Sequence, residues 1–241
     1  MTQDTNALGQ PVGLPVAGWR PPPRPPREPM TGQYCRLEAA DPVRHAVDLY
    51  AANALDAAGA MWTYLPYGPF ADFAAYRDWL EPACATSDPL FFAIIDLATG
   101  KAAGLASYLR IDPASGSIEV GHIALSPLLQ RTRPATEAMF LMMRWAFRAG
   151  YRRYEWKCNA LNAPSRQAAL RLGFSYEGVF RQAGIVKGRN RDTAWYAAID
   201  AEWPALEQAY LAWLAPANFD ATGRQRSPLA ALTAPVIKQR G

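Results

Sequence analysis

The sequence predicts an α/β (α+β) fold: a central mixed, mostly antiparallel twisted sheet flanked by helices. Three apolar segments, 90–97, 104–111 and 118–125, are joined by short turns that contain glycine, which is typical of an antiparallel meander. From 135 to 146, apolar residues recur at the spacing of a helix that packs on a core. Strand-like segments after this helix predict that the sheet continues beyond it.

The chain begins with a proline-rich segment, since residues 1–30 contain eight of the 21 prolines. The run 21–26 fits neither a helix nor a central strand, because proline lacks the amide hydrogen and has a fixed φ. We expect it to be extended or disordered, and a position along the domain surface is favoured over a proline-rich ligand for another protein. The expected folded domain is 31–200, followed by a final helix and a polar tail over 201–241.

The first elements of the domain are a strand and two helices. A strand is predicted at 34–37, and Asp41-Pro42 then opens a helix through about Asn53, with the aspartate as cap. A second helix is predicted at about 72–80, after an aromatic loop broken by prolines.

Five elements are predicted after the central helix. They are a strand at 154–158, a helix at 162–172, strands at 174–186 and 193–199, and a helix at 203–214. Gly173 ends the first of these helices. Residues 187–192 are expected to form the loop between the two strands.

Composition excludes several classes of protein. The chain has 241 residues, half of them apolar, and no apolar run approaches the ~20 residues of a membrane span. The N-terminus lacks the pattern of a signal peptide. Three cysteines and two histidines occur without the spacing of a zinc site, so we expect a reduced cytoplasmic protein without a metal.

Positive charge is concentrated around the central loop and helix. The net charge is +4, but residues 130–171 hold nine basic and two acidic side chains. Such a patch attracts a polyanionic ligand; the alternative is a solvated helix face. Nucleic-acid binding is not expected, because no recognition helix or stacking platform is apparent.

The loop Gln130–Arg133 connects the third strand to the central helix. Free N–H groups at a helix N-terminus favour an anion, and two guanidinium groups add to that. The segment QRTRPATEA resembles the acetyl-CoA loop of the GCN5-related N-acetyltransferases (GNAT), in the branch that acetylates ribosomal-protein N-termini. Matching positions are Gln130, Ala135, Thr136, Glu137 and Ala138, whereas Arg131 and Arg133 stand where that branch has glycines.

Two later segments carry the same resemblance. Residues 162–174 are similar to the N-x-x-S-x(7)-G-F element, in which Asn162 is expected to reach the pantetheine arm and Ser165 to lie near the sulfur. The structural alternative makes Asn162 a helix cap and Ser165 a first-turn hydroxyl. Ala169 replaces a tyrosine acid of many relatives, so Ser165 or a water is expected to reprotonate the thiolate.

The segment 174–192 resembles the E-G-x-x-R…G…D ending of the ribosomal-protein branch. Gly178 and Gly188 are interpreted as a bulge and a turn. Arg181 and Asp192 are interpreted as a possible cross-strand pair.

Glu119 is the best candidate to accept the proton of the attacking amine, through water, because it lies on the strand that leads to the loop. Its alternative is a surface carboxylate. His122 is expected to be a core or supporting histidine. Strand alternation predicts that these two side chains lie on opposite faces and do not act together.

Three aromatic residues, Trp62, Tyr64 and Tyr67, lie in the loop between the first two helices. They are equally compatible with a wall of the acceptor site and with a core beneath the loop. Cys158 is expected to be a buried thiol rather than an acyl-carrying nucleophile, since it has no histidine partner nearby in sequence.

The resemblance implies the GNAT fold and acetyl-CoA as co-substrate. Cofactor contacts are then expected along the third strand, the loop and the helix after it, at Ile123, Ala124, Leu125, Gln130, Arg131, Thr132, Arg133, Ala135, Thr136, Asn162 and Ser165. The expected function is transfer of the acetyl group to a primary amine, a protein N-terminus or a small molecule, by direct attack in a ternary complex of a monomer or homodimer. The alternative is a catalytically silent acyl-CoA sensor or scaffold, favoured by Arg131, Arg133 and Ala169.

Overall fold

The structure is a computed structural model that describes residues 3–241. Two short strands, β1 (Gln3–Thr5) and β2 (Pro11–Gly13), form a separate antiparallel pair. The other strands are β3 (Met30–Thr31), β4 (Cys35–Ala39), β5 (Leu90–Asp96), β6 (Lys101–Asp112), β7 (Ser117–Leu125), β8 (Arg153–Asn159), β9 (Ser175–Val186) and β10 (Arg189–Ile199). They form one sheet in the order β3-β4-β5-β6-β7-β8-β10-β9, in which only β7 and β8 pair in parallel.

Helices cover both faces of this sheet. They are α1 (Pro42–Asn53), α2 (Phe73–Ala85), α3 (Arg133–Arg148), α4 (Ala163–Arg171), α5 (Trp203–Leu214) and α6 (Leu229–Thr233). One core lies under α1 and α2, and a larger one packs α3 to α6 against the opposite face. The predicted mixed sheet with flanking helices is confirmed.

Side-chain caps begin the first four of these helices. Asp41 Oδ1 accepts from the N–H of Val43 at 2.8 Å, as the sequence predicts. Asp72 caps α2, Thr132 caps α3 and Asn162 caps α4. Each cap satisfies an N–H group that the helix itself leaves free, so these starting points are encoded locally.

The hairpin β9–β10 differs from the prediction. Its turn is only Lys187–Gly188, both with positive φ (49° and 71°), so the predicted loop over 187–192 is wrong beyond Gly188. Gly178 lies at a bulge, as interpreted. Asp192 forms no ion pair with Arg181: its carboxylate accepts instead from the N–H of Gln182 at 2.7 Å.

The proline-rich segment lies along the domain, and its run 21–26 belongs to no helix or strand. Arg27 donates to the carbonyls of Cys84 (3.1 Å) and Thr86 (2.7 Å). The hydroxyl of Tyr151 donates to the carbonyl of Pro23 at 3.1 Å. These contacts hold the segment near the ends of α2 and α3.

The C-terminal residues are more structured than the expected polar tail. Residues 215–241 contain α6, and they bury Leu229 and Val236 in the larger core. Among residues 3–241, no helix is both long and apolar enough to cross a membrane.

Candidate functional site

The two central parallel strands separate and open a cleft. β7 and β8 pair only from Ser117 to Val120 and from Arg153 to Trp156, although both continue beyond that point. A cavity of about 320 Å³ lies at this point, lined by both strands, the loop before α2 and the first turn of α4. Of the predicted site residues it is lined by Tyr64, Glu119, Ile123, Asn162 and Ser165.

A β-bulge changes which side chains of β7 face this cavity. Gly121 pairs with Ser107 and Ala124 with Leu105, so two residues of β7 lie opposite one residue of β6. His122 has a φ of 50°, the left-handed conformation of such a bulge. The extra residue shifts the alternation by one.

The bulge places Glu119 and His122 in the same cavity. The prediction that they lie on opposite faces of β7 is therefore wrong. Simple alternation failed because it assumes one residue per position on each strand, which holds only in an unbroken ladder.

Glu119 is buried between two cations, with 3% of its side chain exposed. One nitrogen of the Arg110 guanidinium lies 2.8 Å from each carboxylate oxygen, and Lys157 Nζ lies 3.0 Å away. The alternative of a surface carboxylate is wrong. Burial raises the pKa of Glu119 above its ordinary value, although Lys157 and Arg110 act in the opposite direction.

Lys157 joins Glu119 to further charges on β8 and β9. Its ammonium also lies 2.7 Å from Glu155, which pairs with Arg153, and Arg153 in turn pairs with Glu177. Cations and carboxylates therefore alternate along this network. Each buried charge has an opposite neighbour, as its desolvation requires.

His122 is held by aromatic rings. Its imidazole stacks on Tyr67 with an angle of 12° between the planes, and Nδ1 lies 3.3 Å from the tyrosine hydroxyl. Phe91 lies on another side, with 5.1 Å between ring centroids. Burial lowers the pKa of His122 to about 4, and the positive charges of Arg110 and Arg191 add to this effect. The ring is therefore neutral at pH 7.

The three aromatic residues of the loop before α2 have different positions. Trp62 is 5% exposed and packs in the core against Tyr67 and Phe70. Tyr67 stacks on His122 and does not line the cavity. Only Tyr64 lines the cavity, where its hydroxyl donates to the carbonyl of Leu161 at 3.2 Å across the cleft.

The first turn of α4 forms the opposite side of the cleft. Asn162 Oδ1 accepts from the N–H of Ser165 at 3.2 Å, so it is a helix cap as well as a lining residue. Ser165 Oγ accepts from the indole of Trp156 at 3.1 Å, and its hydroxyl also forms a hydrogen bond with the neighbouring thiol of Cys158. Cys158 lies beside it, and burial raises the pKa of this thiol.

The loop before α3 has the geometry of an anion site. The N–H groups of Arg131 and Arg133 donate to no atom among residues 3–241. Arg131 has a φ of 62°, a conformation that glycine adopts without strain, so the arginine keeps a glycine-like backbone. Arg171 reaches the first turn of the helix, where it donates to Thr136 Oγ1 at 3.1 Å.

A second cavity, of about 840 Å³, lies beside this loop. Three arginines and three aromatic residues contribute to its lining: Arg131, Arg133, Arg224, Tyr34, Trp213 and Phe219. The guanidinium of Arg133 lies 4.1 Å from the ring centroid of Phe219. This cavity shares no lining residue with the cleft.

Other predicted cofactor residues support the loop rather than line the cleft. Gln130 donates to the carbonyl of Leu125 at 2.9 Å and closes the base of the loop. Ala124 packs in the core under α1 and α2, and Ala135 is buried in the core under α3.

Sequence reasoning missed several lining residues of the cleft. Arg110 and Lys157 hold Glu119, and Arg191 also lines the cavity. Glu155 and Lys157 lie two residues apart on a predicted strand, so the sequence indicates that their side chains share a face. It does not indicate that Lys157 contacts Glu119 on the neighbouring strand β7. Arg191 fell in a segment predicted as loop. Among residues 3–241, no group of three or more His, Cys, Asp or Glu side chains is arranged to hold a metal ion.

Comparisons with known proteins agree with this architecture. The family model described as "Acetyltransferase (GNAT) domain" matches residues 36–175. A GCN5-related N-acetyltransferase from Brucella melitensis is 50% identical, with a TM-score of 0.89 over 91% of this chain and 100% of that one. A probable GNAT-family acetyltransferase from Chromobacterium violaceum is 42% identical, with a TM-score of 0.76 over 81% of this chain and 98% of that one.

A more distant structure shares the fold. It is an acetyltransferase from Salmonella typhimurium that modifies the N-terminal serine of ribosomal protein L7/L12, 22% identical, with a TM-score of 0.62 over 71% of this chain and 99% of that one. A comparison with curated proteins gives no match. The family model covers more than half of the chain and the first two structures are similar over most of their length, so this protein belongs to the GNAT family of acetyltransferases.

Proposed function

We propose that this protein transfers the acetyl group of acetyl-CoA to a primary amine by direct attack in a ternary complex. The observation that carries this proposal is the cleft between β7 and β8, together with the arginine-rich helix N-terminus that follows β7 in the chain. A strand edge without a ladder offers free amides to an extended ligand, and the helix N-terminus favours its phosphates.

The residues present fit this co-substrate. The free N–H groups of Arg131 and Arg133, with nearby Arg171, would hold the phosphates. The open edge of β7 near Ile123 and the first turn of α4 would hold the pantetheine arm. Acetyl-CoA would supply an acetyl group activated as a thioester, from which the thiolate departs when the amine attacks.

Glu119 is proposed to accept the proton of the amine through a water. Its raised pKa brings it toward the range of an effective base. An α-amino group has a pKa of about 7.7–8.0, so only modest help is needed to make it a nucleophile. Holding the amine and thioester together supplies much of the rate.

Ser165 is proposed to donate a proton to the departing thiolate. The indole of Trp156 occupies an acceptor position of its hydroxyl and orients the proton away from that ring. Position 169 holds a fully buried alanine, so this chain has no tyrosine hydroxyl there to act as the acid.

The acceptor is proposed to enter beside Tyr64, on the face that carries Glu119 and His122. A protein N-terminus is supported by the fold likeness to the Salmonella enzyme and by the three sequence segments. A small amine is the other acceptor class. The volume of the cleft is compatible with a peptide N-terminus and with a small molecule.

The test combines ligand-induced stabilisation with turnover. Acetyl-CoA and CoA should each raise the melting temperature, whereas ATP should not. At 100 times its dissociation constant, a ligand that binds only the folded state adds about 2.7 kcal/mol to the free energy of unfolding. A panel of peptides and small amines should then release free thiol from acetyl-CoA and gain an acetyl mass. Stabilisation without thiol release from any amine would instead identify a silent acyl-CoA sensor, and no stabilisation would refute both functions.

A further inference from the structure

Arg191 is a cation without a partner in the cleft. It lies on β10 and lines the same cavity as Glu119 and His122. Its Nε is buried and has no hydrogen-bond partner. No ion pair joins its guanidinium to a carboxylate anywhere in residues 3–241. A buried donor left unpaired is costly, so such a group usually has a ligand or a function.

The other charges of the cleft are already balanced by each other. Arg110 and Lys157 pair with Glu119, and Lys157 also pairs with Glu155. Together with Arg153 and Glu177, this ion-pair network holds three cations and three carboxylates, so Arg191 provides the uncompensated charge of the cavity. The cavity favours an anionic group over a cationic one.

A polycationic acceptor is poorly matched to this cleft. A polyamine or aminoglycoside site needs several carboxylates, and the loop between α1 and α2 supplies two acids, Asp56 and Asp72. Asp56 accepts from the N–H of Met61 at 2.8 Å, and Asp72 caps α2. Neither lines the cavity.

The phosphates of the proposed co-substrate do not account for Arg191. The arginines of the loop before α3, Arg131 and Arg133, line the separate 840 Å³ cavity. Arg191 lies instead in the cleft, close enough to both His122 and Cys158 for its charge to act on them. The cleft therefore contains an unpaired cation that is separate from the loop before α3.

We infer that the acceptor carries a carboxylate in addition to its amine, and that Arg191 binds this carboxylate and determines specificity for it. This inference rests on the proposed acetyl transfer. A guanidinium offers two parallel N–H donors that match the two oxygens of a carboxylate. The carboxylate can be the α-carboxylate of a free amino acid or an acidic side chain beside a protein N-terminus.

The experiment compares matched acceptors with and without the carboxylate. One arm uses free amino acids and their carboxamides, and the other uses peptides with Asp or Glu against Asn or Gln at the second and third positions. Carboxylate acceptors should have a kcat/KM about 10- to 100-fold higher, the range of a charge-assisted hydrogen bond. The arm that shows this ratio identifies the source of the carboxylate.

Arg191→Gln should reduce this ratio toward one, and Arg191→Lys should restore part of it. Arg189→Gln is the matched control, because Arg189 is an exposed arginine of the same strand outside the cavity. Stabilisation of each variant by CoA reports that it is folded. Equal kcat/KM values for carboxylate and amide acceptors of the unmodified protein would overturn the inference while leaving acetyl transfer intact.

A binding readout covers the case in which no amine is turned over. In the presence of CoA, N-acetylated amino acids should raise the melting temperature of the protein more than their carboxamides do. Arg191→Gln should remove this difference and Arg189→Gln should keep it. A difference that survives in Arg191→Gln would also overturn the inference.

Discussion

The ammonium group of Lys157 lies 3.0 Å from a carboxylate oxygen of Glu119, and both side chains are more than nine-tenths buried. The two residues belong to β7 and β8, next to the point where these strands separate. Because the same carboxylate is also held by Arg110, its position at the cleft is defined from both neighbouring strands.

Replacing Lys157 should destabilise the fold strongly. Lys157→Met keeps most of the side-chain volume but leaves Glu119 and Glu155 short of a buried positive charge, which costs about 3–5 kcal/mol. Arg148→Met is the control, because it removes an ion pair with Glu207 in which the arginine side chain is 64% exposed. This substitution should change the free energy of unfolding by less than about 1 kcal/mol. Urea denaturation measures both. Equal losses would show that the buried network is not specially stabilising.

Glu119→Gln should slow catalysis without preventing cofactor binding. We expect kcat/KM at pH 7 to fall about 100-fold, since a proton acceptor is lost while proximity is kept. Activity of the variant should recover as the pH rises above the pKa of the amine.

The matched control for this prediction is Glu177→Gln, at the far end of the ion-pair network. It should keep activity within about twofold of the unmodified protein, the scatter expected for a surface substitution. Initial rates from pH 6 to 9 give the comparison. A Glu119→Gln enzyme as active as the control would remove Glu119 from the mechanism.

His122 should make the fold sensitive to acid. Its pKa is about 4 in the folded chain, below the ordinary value of 6.5, so below pH 6.5 the unfolded state binds more protons than the folded state. This contribution to stability is present above pH 6.5 and is lost as the pH falls toward 4, at up to about 1.4 kcal/mol per pH unit.

His122→Asn tests this dependence, because asparagine tolerates the positive φ of the bulge. The difference in unfolding free energy between the unmodified protein and the variant should shrink from pH 7 to pH 4.5. Since Glu119 and the nearby cations remain in both proteins, their titration cancels in this difference. A constant difference across the range would mean that His122 does not titrate as described.

Arg131 should affect both stability, through its strained backbone conformation, and CoA binding, through its positive charge. Arg131→Gly and Arg131→Ala both remove the guanidinium, so both should weaken CoA binding to a similar extent and reduce its salt dependence. They should differ in stability: the glycine variant should be about 1 kcal/mol more stable than the alanine variant, because only glycine adopts a φ of 62° without cost. Calorimetric titration with CoA and thermal unfolding measure the two effects. Variants of equal stability would exclude strain at this position.

Local patterns predicted most of the fold. Asp41 and Asn162 cap their helices, and the meander over 90–125 is present as predicted. These features depend on residues close in sequence, through capping groups, periodicity and turn residues. The resemblance at 130–138 pointed to the loop before α3 for the same reason, since its shape is set by neighbouring residues.

Glu137 illustrates what a motif leaves out. It matches the family sequence, but its buried carboxylate accepts from the N–H groups of three consecutive residues, Gln33, Tyr34 and Cys35, at 2.6–2.8 Å. This contact joins α3 to the start of β4 across a hundred residues. No local pattern indicates such a partner.

The sequence alone therefore determined the family, the order of elements and the location of the loop and of Glu119, because short-range chemistry carries that information. The tertiary structure decided which side chains meet in the cleft. A single extra residue at the His122 bulge moved that ring to the face of Glu119, and strand pairing brought Arg191 to the same cavity. Both depend on register between strands far apart in sequence, where one residue of offset reverses the face that a side chain occupies.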